Sequence, residues 1–399
     1  MRLDRLPGNV HLTYCTNIHA GESWPDIRAG LDAHVPAIKA AAAPDRPLGI
    51  GLRLSGQAAA AARAPDAIAA FCDQLARLGA YVFTINAFPF GPFHGVRVKE
   101  HVYLPDWRSD ERVAFTADTA AVLAAVLPDG VDGSISTVPG TFKPNGRAGG
   151  ATAAMTARML QAAANLVEVE RTTGKRIALA LEPEPCCFLE TADESVAFFQ
   201  TSLFAPDAVR NFAAMTRVGA GEAEALLRRH LAICYDVCHG SVEYEDPVAA
   251  LDRLIAAGIA VPKIQLSAAM RVPAMTRDLV GAVMRYDDGV YLHQTIARRD
   301  DGLTRYVDLP EAVAGLDGGA APEWRIHCHV PVFLADLGAL QSTRADLVAT
   351  LAALRMRHRS SHLEVETYTW DVLPDGLRAG SKAADIAREI AFCAKELVG

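Results

Sequence analysis

The sequence has no basic run. Its 39 Lys and Arg are outnumbered by 47 Asp and Glu, for a formal charge of −8. Binding a phosphate backbone requires clustered cations, so the charge argues against nucleic acid as a partner. No stretch reaches the roughly 18 to 20 uninterrupted apolar residues that span a bilayer. The opening MRLDRLPGNVHLTYC also lacks the apolar core of a secretory leader. A cytoplasmic protein without a membrane span is therefore expected. Cysteine is sparse, eight in 399 residues, and Cys186 and Cys187 are adjacent, which suits reduced thiols rather than a disulfide framework. No Gly/Pro/Ser-rich linker and no internal repeat divides the chain, so residues 1–399 are expected to form one domain.

What the sequence does contain is alternation. Short Val/Ile/Leu-rich runs at 11–17, 48–54, 81–87, 133–138, 176–182, 231–236, 262–267, 324–330 and 362–367 read as strands. Amphipathic stretches at 64–78, 111–127, 151–173, 246–257, 344–357 and 382–397 read as the helices between them. Strand and helix repeated this often predict a parallel sheet closed into a (β/α)8 TIM barrel. Segment 268–323, with two β-like runs around RRDDG, reads as a β-hairpin inserted after the seventh strand, which leaves 324–330 as an extra strand or a loop shaped toward the site. The apolar helices and this hairpin could serve a homo-oligomer interface.

In such a barrel the chemistry sits at the C-terminal ends of the strands, and here those ends are polar. RIALALE ends on Glu182, LAICYD ends on Asp236 with His239 three residues on, and PKIQLS carries Gln265. IHCHV carries His327 and His329, and HLEVE carries Glu364 and Glu366. Buried carboxylates cost several kcal/mol unless paired or bound to a cation. A single one reads equally well as a structural ion pair, but the set together reads as a site. Acids with an amide carbonyl favour a divalent ion of the Mg, Mn or Co type over a thiolate zinc site. Glu366, nearer the strand end, ranks above Glu364, and Glu182 ranks above Glu184, which follows Pro183 in the loop.

The cysteines of CYDVCH (234–239) fit no metal or haem spacing: three residues separate them where haem attachment uses two, and no second spaced pair completes a zinc ribbon. Cys234 and Cys328 read as barrel-filling residues. Further candidates follow the early strands: Asn17, His19, Glu22 and Trp24, then Asn86, His94 in the aromatic loop NAFPFGPFHG, and Lys143. Arg53 reads as an ion-pairing residue of the barrel.

These residues resemble the xylose isomerase-like TIM-barrel superfamily of sugar isomerases and epimerases, dehydratases and endonuclease IV, through ALE at Glu182, D-x-x-H at Asp236 to His239, and LEVE. The resemblance implies one divalent ion (Mn, Mg, Co or Zn) held by Glu182, Asp236, Gln265 and Glu366, with Gln265 where His is commoner. It implies that His239 contacts substrate; by their positions, His19, Asn86, His94, Lys143, His327 and His329 are further candidate substrate contacts. Glu182 and Glu366 would act as base and acid around an enediolate-type intermediate, and His327 or His329 could protonate a leaving hydroxyl. Val138-Pro139-Gly140 stands where endonuclease IV has His-Pro-Gly, which argues against DNA repair, while IHCHVP is similar to its Asp-x-His pair and leaves room for a second metal contact. HLTYCTNIHAGESW and LEVETYTWDVLP are similar to EboE-type metabolite traffic proteins. That likeness implies a sugar, cyclitol or related polyol as substrate, turned over by an isomerase, epimerase or dehydratase, or carried by a non-catalytic traffic protein.

Overall fold

The apolar runs become strands because both of their faces are buried. Leu48–Arg53, Ile177–Leu181 and Leu231–Asp236 are buried at every residue, as parallel strands between a filled interior and a jacket of helices must be. The computed structural model describes residues 1–92, 97–287, 289–316, 321–368, 370 and 381–399. Its strands are β1 (His11–Tyr14), β2 (Leu48–Arg53), β3 (Ala80–Asn86), β4 (Gly133–Thr137), β5 (Ile177–Leu181), β6 (Leu231–Asp236), β7 (Lys263–Leu266), β8 (Met270–Val272), β9 (Thr295–Arg299), β10 (Gly302–Tyr306), β11 (Glu323–Ile326), β12 (Asp336–Leu337), β13 (Leu340–Ser342) and β14 (His362–Val365).

Eight of these form one sheet in the order β1-β14-β7-β6-β5-β4-β3-β2, with every neighbouring pair parallel. The sheet closes between β1 and β2, where Cys15 bridges Gly51. A side chain completes this seam: the Thr13 hydroxyl donates to the Gly49 carbonyl at 2.7 Å and accepts from the Gly51 amide at 2.9 Å. Gly51 is required there, because a Cβ would overlap the Glu364 carboxylate. The result is an eight-stranded α/β barrel of the TIM type.

The expected helices are found at Pro65–Leu78, Asp110–Val126, Ala151–Thr173, Pro247–Ala256, Arg344–Met356 and Lys382–Val398. Local chemistry sets their ends. Asp246 caps Pro247–Ala256 by accepting two backbone amides, and Gly79, at φ +59°, ends Pro65–Leu78 in the left-handed conformation.

Eight of the nine strand candidates enter the barrel. The ninth divides: Glu323–Ile326 is β11, and 327–330 leave the strand toward the barrel mouth. β11 belongs to a second sheet in the order β10-β9-β11-β8-β13-β12, antiparallel throughout and built from residues 270–342. Within it β9 and β10 form a hairpin.

The barrel interior is layered. Ala178, Ala180, Ala232 and Cys234 pack together as small inward residues of β5 and β6. The space opposite holds Lys263 of β7 and Glu364 of β14, an ion pair at 2.7 Å between fully buried side chains. Lys263 also donates to Ser136 at 3.2 Å. Asp236, Gln265, Glu182 and Glu366 follow at the strand ends.

Candidate active site

Asp236 is both the last residue of β6 and the N-cap of the helix Val237–Val242. Its Oδ1 accepts the His239 amide at 3.0 Å and the Ser267 hydroxyl at 2.7 Å. This explains the D-x-x-H spacing: a capping carboxylate accepts the amide of the third helical residue, which here is His239. Oδ2 is left pointing at the barrel mouth.

Glu182 continues β5 and Glu366 continues β14, held by backbone bonds to Thr137 (3.0 Å) and Leu266 (3.2 Å). Glu366 Oε1 accepts from Asn17 at 2.6 Å and from Asn86 at 3.3 Å. Carboxylate oxygens of Glu182, Asp236 and Glu366 lie within 4.8 Å of one another, all three residues buried. Burial first, and then the facing acids, raise the carboxyl pKa values of Glu182 and Glu366 above the usual range. Gln265 stands in register with Asp236 on one side and Glu364 on the other. Both ends of its amide, together with Glu182 Oε2 and Asp236 Oδ2, lack a hydrogen-bond partner among the described residues. An orphaned buried polar group costs about 1–3 kcal/mol, and this cluster has several. Three carboxylates and an amide oxygen are the donors a divalent cation takes, so these residues fit the expected ion. Cys234 does not join them, since it packs among Ala178, Ala180 and Ala232, whereas the Cys238 thiol lies within 4.8 Å of nitrogens of His327 and His329 on the imidazole side of the site.

Beside the carboxylates stand three imidazoles. His239 Nε2 lies 3.1 Å from His327 Nε2, which lies 3.1 Å from His329 Nε2. The Nδ1 atoms face outward, to the Pro183 carbonyl (2.8 Å), the Gln294 amide oxygen (2.7 Å) and the Glu366 carbonyl (2.9 Å). Asp236 Oδ2 is 3.7 Å from His239 Nε2 and 3.8 Å from His329 Nε2. Burial lowers His239 to about 4 and holds His327 well below its ordinary value, so both rings are neutral. With protons on Nδ1, the ring nitrogens facing the cavity are acceptors. The expected role of His327 or His329 as an acid toward a leaving hydroxyl therefore does not match this arrangement.

Acids and imidazoles form the floor of a cavity of about 80 Å³. Phe88, Val102, Tyr291, Leu292 and Tyr368 wall it. Arg112, fully buried, anchors the aromatic loop by donating to the Ala87 and Phe88 carbonyls at 2.8 and 3.0 Å.

Of the sequence-predicted residues, Glu182, Asp236, His239, Gln265, His327, His329, Glu366, Asn17 and Asn86 converge here. Four others are elsewhere, among them Trp24, which is buried edge-on against Phe71 at 4.9 Å. His19 stacks on His34 at 4.1 Å, bonds the Tyr14 hydroxyl at 3.1 Å and lines a separate recess with Gly21 and Arg53. The Lys143 ammonium is engaged by Glu190 and Glu194. Glu22 pairs with Arg53 at 2.8 Å, the ion pair expected of that arginine. His94 lies outside the described residues.

Sequence reasoning missed Tyr103 and Gln294 and ranked Glu184 too low. Glu184 is buried in the floor and accepts from Tyr103 (2.7 Å) and Gln294 (2.9 Å), with its pKa pushed up to about 7 by burial. The signal was a glutamine inside the apolar run VYLHQTI, which needs a partner once that run is buried.

No protein-family model matches the chain, and no curated protein matches it. Among solved structures it is similar in fold to a D-tagatose 3-epimerase-like protein, with 10% identity over 98% of each chain and a TM-score of 0.49. It is similar to a xylose isomerase domain protein from Planctomyces limnophilus, with 14% identity over 98% of this chain and 97% of that one, at 0.48. It is also similar to the IOLI protein with a binding zinc atom, with 11% identity over 98% of each chain, at 0.46.

Proposed function

We propose that the chain is a divalent-cation-dependent isomerase, epimerase or dehydratase acting on a sugar, cyclitol or related polyol. The observation that carries this is the group of partnerless polar atoms on Glu182, Asp236 and Gln265, gathered with Glu366 at the barrel mouth. Glu182, Asp236, Gln265 and Glu366 would hold the ion. When bound, the ion would supply the positive charge that makes a C–H next to a carbonyl acidic.

The chain's own groups supply the rest. Glu182 and Glu366, whose carboxyls burial raises above their ordinary range, would remove and return a carbon-bound proton. Asn17 and Asn86 fix the Glu366 carboxylate that would do so. With a single cation bound, His239 would offer Nε2 as acceptor to a substrate hydroxyl. The aromatic walls keep water from the exposed carbanion. Convergence of three imidazole nitrogens beside Asp236 Oδ2 favours a second cation contact there, nitrogen-rich and suited to zinc. The cyclitol reading draws on the likeness of HLTYCTNIHAGESW to EboE-type proteins, a segment that places Asn17 in the floor.

Incubating the protein with cyclitols and keto-sugars in deuterated water tests the proposal. Cation-dependent exchange of one C–H, lost in Glu182→Gln, is expected. Cation binding without exchange across the panel would favour the carrier reading.

A further inference from the structure

The three imidazoles are pinned by unequal means. His239 and His329 donate Nδ1–H to backbone carbonyls, those of Pro183 and Glu366. A carbonyl can only accept, so their tautomers are set by the main chain. His327 faces a side chain, Gln294, whose amide could in principle point either way.

The surroundings decide. One end of the Gln294 amide meets the Pro185 carbonyl at 3.1 Å, Glu184 Oε1 at 2.9 Å and the Tyr103 hydroxyl at 2.8 Å. The Pro185 carbonyl is an obligate acceptor, and the Tyr103 proton is already given to Glu184 at 2.7 Å. That end must be the NH2. The other end is then the oxygen, 2.7 Å from His327 Nδ1, and the proton of His327 must lie on Nδ1. All four side chains are buried, and the Gln294 amide is engaged at both ends by protein groups.

From this we infer that Gln294 is a positioning residue that sets the tautomer of His327, turning its Nε2 lone pair toward those of His239 and His329. Gln294 immediately precedes β9, outside the eight barrel strands, so the second sheet completes the donor set at the barrel mouth. What the converging lone pairs are for rests on the cation reading above; the tautomer assignment does not.

Histidine-selective 15N labelling with long-range proton–nitrogen correlation reads the tautomers directly. In the metal-stripped protein, His239, His327 and His329 should all carry Nδ1–H. Gln294→Met, similar in length but without an acceptor, should move the His327 proton to Nε2 and leave the other two unchanged. Gln294→Glu keeps an oxygen against Nδ1 and should preserve the Nδ1–H form. Zinc titration followed at the same resonances should show the Met variant weakened about 10- to 100-fold, the usual cost of losing the partner that orients a ligating imidazole. His327 carrying Nε2–H in the unmodified protein, or keeping Nδ1–H in Gln294→Met, overturns the inference. Predicted tautomers with no zinc-dependent change at any of the three rings would uphold Gln294 and remove the nitrogen-rich cation contact instead.

Discussion

Two buried acids lie two residues apart, Glu364 on β14 and Glu366 just past its end, and meet opposite fates. Glu364 sits inside the barrel against Lys263 at 2.7 Å, so its charge is balanced by the protein. Glu366, at the mouth, meets only the amides of Asn17 and Asn86 and faces two more carboxylates. The lower layer carries its own cation as a side chain. The upper layer has three acids, and among the described residues no lysine or arginine pairs with them, although Lys263 acts on Glu182 and Glu366 from below. A fold that can neutralise a buried acid, and does so one layer below, leaves the upper set for a ligand to neutralise.

Perturbing the lower layer should give the largest effect. Lys263→Met strands Glu364 without its partner and should cost about 3–5 kcal/mol in chemical denaturation. Adding Glu364→Gln to it should recover most of that loss. A double variant no more stable than the single one would contradict the pairing.

The upper layer should respond with opposite sign. In metal-stripped protein Glu182→Ala removes a repelling buried acid and should leave stability unchanged or raised. With manganese at about a hundred times its Kd, the unmodified protein should gain about 2.7 kcal/mol and the variant far less. Equal gains in calorimetry would mean that the ligands are elsewhere.

A third buried acid allows a test by pH. Glu389, on the helix Lys382–Val398, accepts from Thr367 at 2.6 Å and Val332 at 3.1 Å, and burial raises its pKa to about 8. A raised acid binds its proton more tightly when folded, so its contribution is complete below about pH 4.5 and is lost as pH rises toward 8. Glu389→Gln should lie within about 1 kcal/mol of the unmodified protein at pH 5 and exceed it by on the order of 4 kcal/mol at pH 8. Thermal scans giving a constant difference between those pH values would contradict the assignment.

Cys234→Ala should have the smallest effect, about 1 kcal/mol or less for one small group lost from the core. Metal affinity should be unchanged, since Cys234 packs among alanines beneath the site.

The barrel was legible in the sequence because its strands are continuous apolar runs, a pattern that parallel strands buried on both faces impose. The strand-end acids were legible for a related reason: a carboxylate closing an apolar run conflicts with burial, and the conflict shows in RIALALE and LAICYD. Less visible was anything that depends on partners distant in sequence. Glu364 and Glu366 share a face of β14 and its continuation, and only Lys263 on the neighbouring strand distinguishes them. His19 and Lys143 follow barrel strands as site residues would, yet His34, Glu190 and Glu194 draw them aside. Gln294 and Tyr103 come from outside the barrel strands, where no strand-end rule reaches.

The central claim is that the barrel mouth holds a cation through Glu182, Asp236, Gln265 and Glu366. Its most direct test is metal analysis of chelator-free protein, followed by titration of the stripped protein with Mn, Mg and Zn under calorimetry. The account predicts at least one tightly bound equivalent that stabilises the fold and is lost in Glu182→Ala. Less than about half an equivalent in the purified protein, with no stabilisation by any of the three ions, would contradict it.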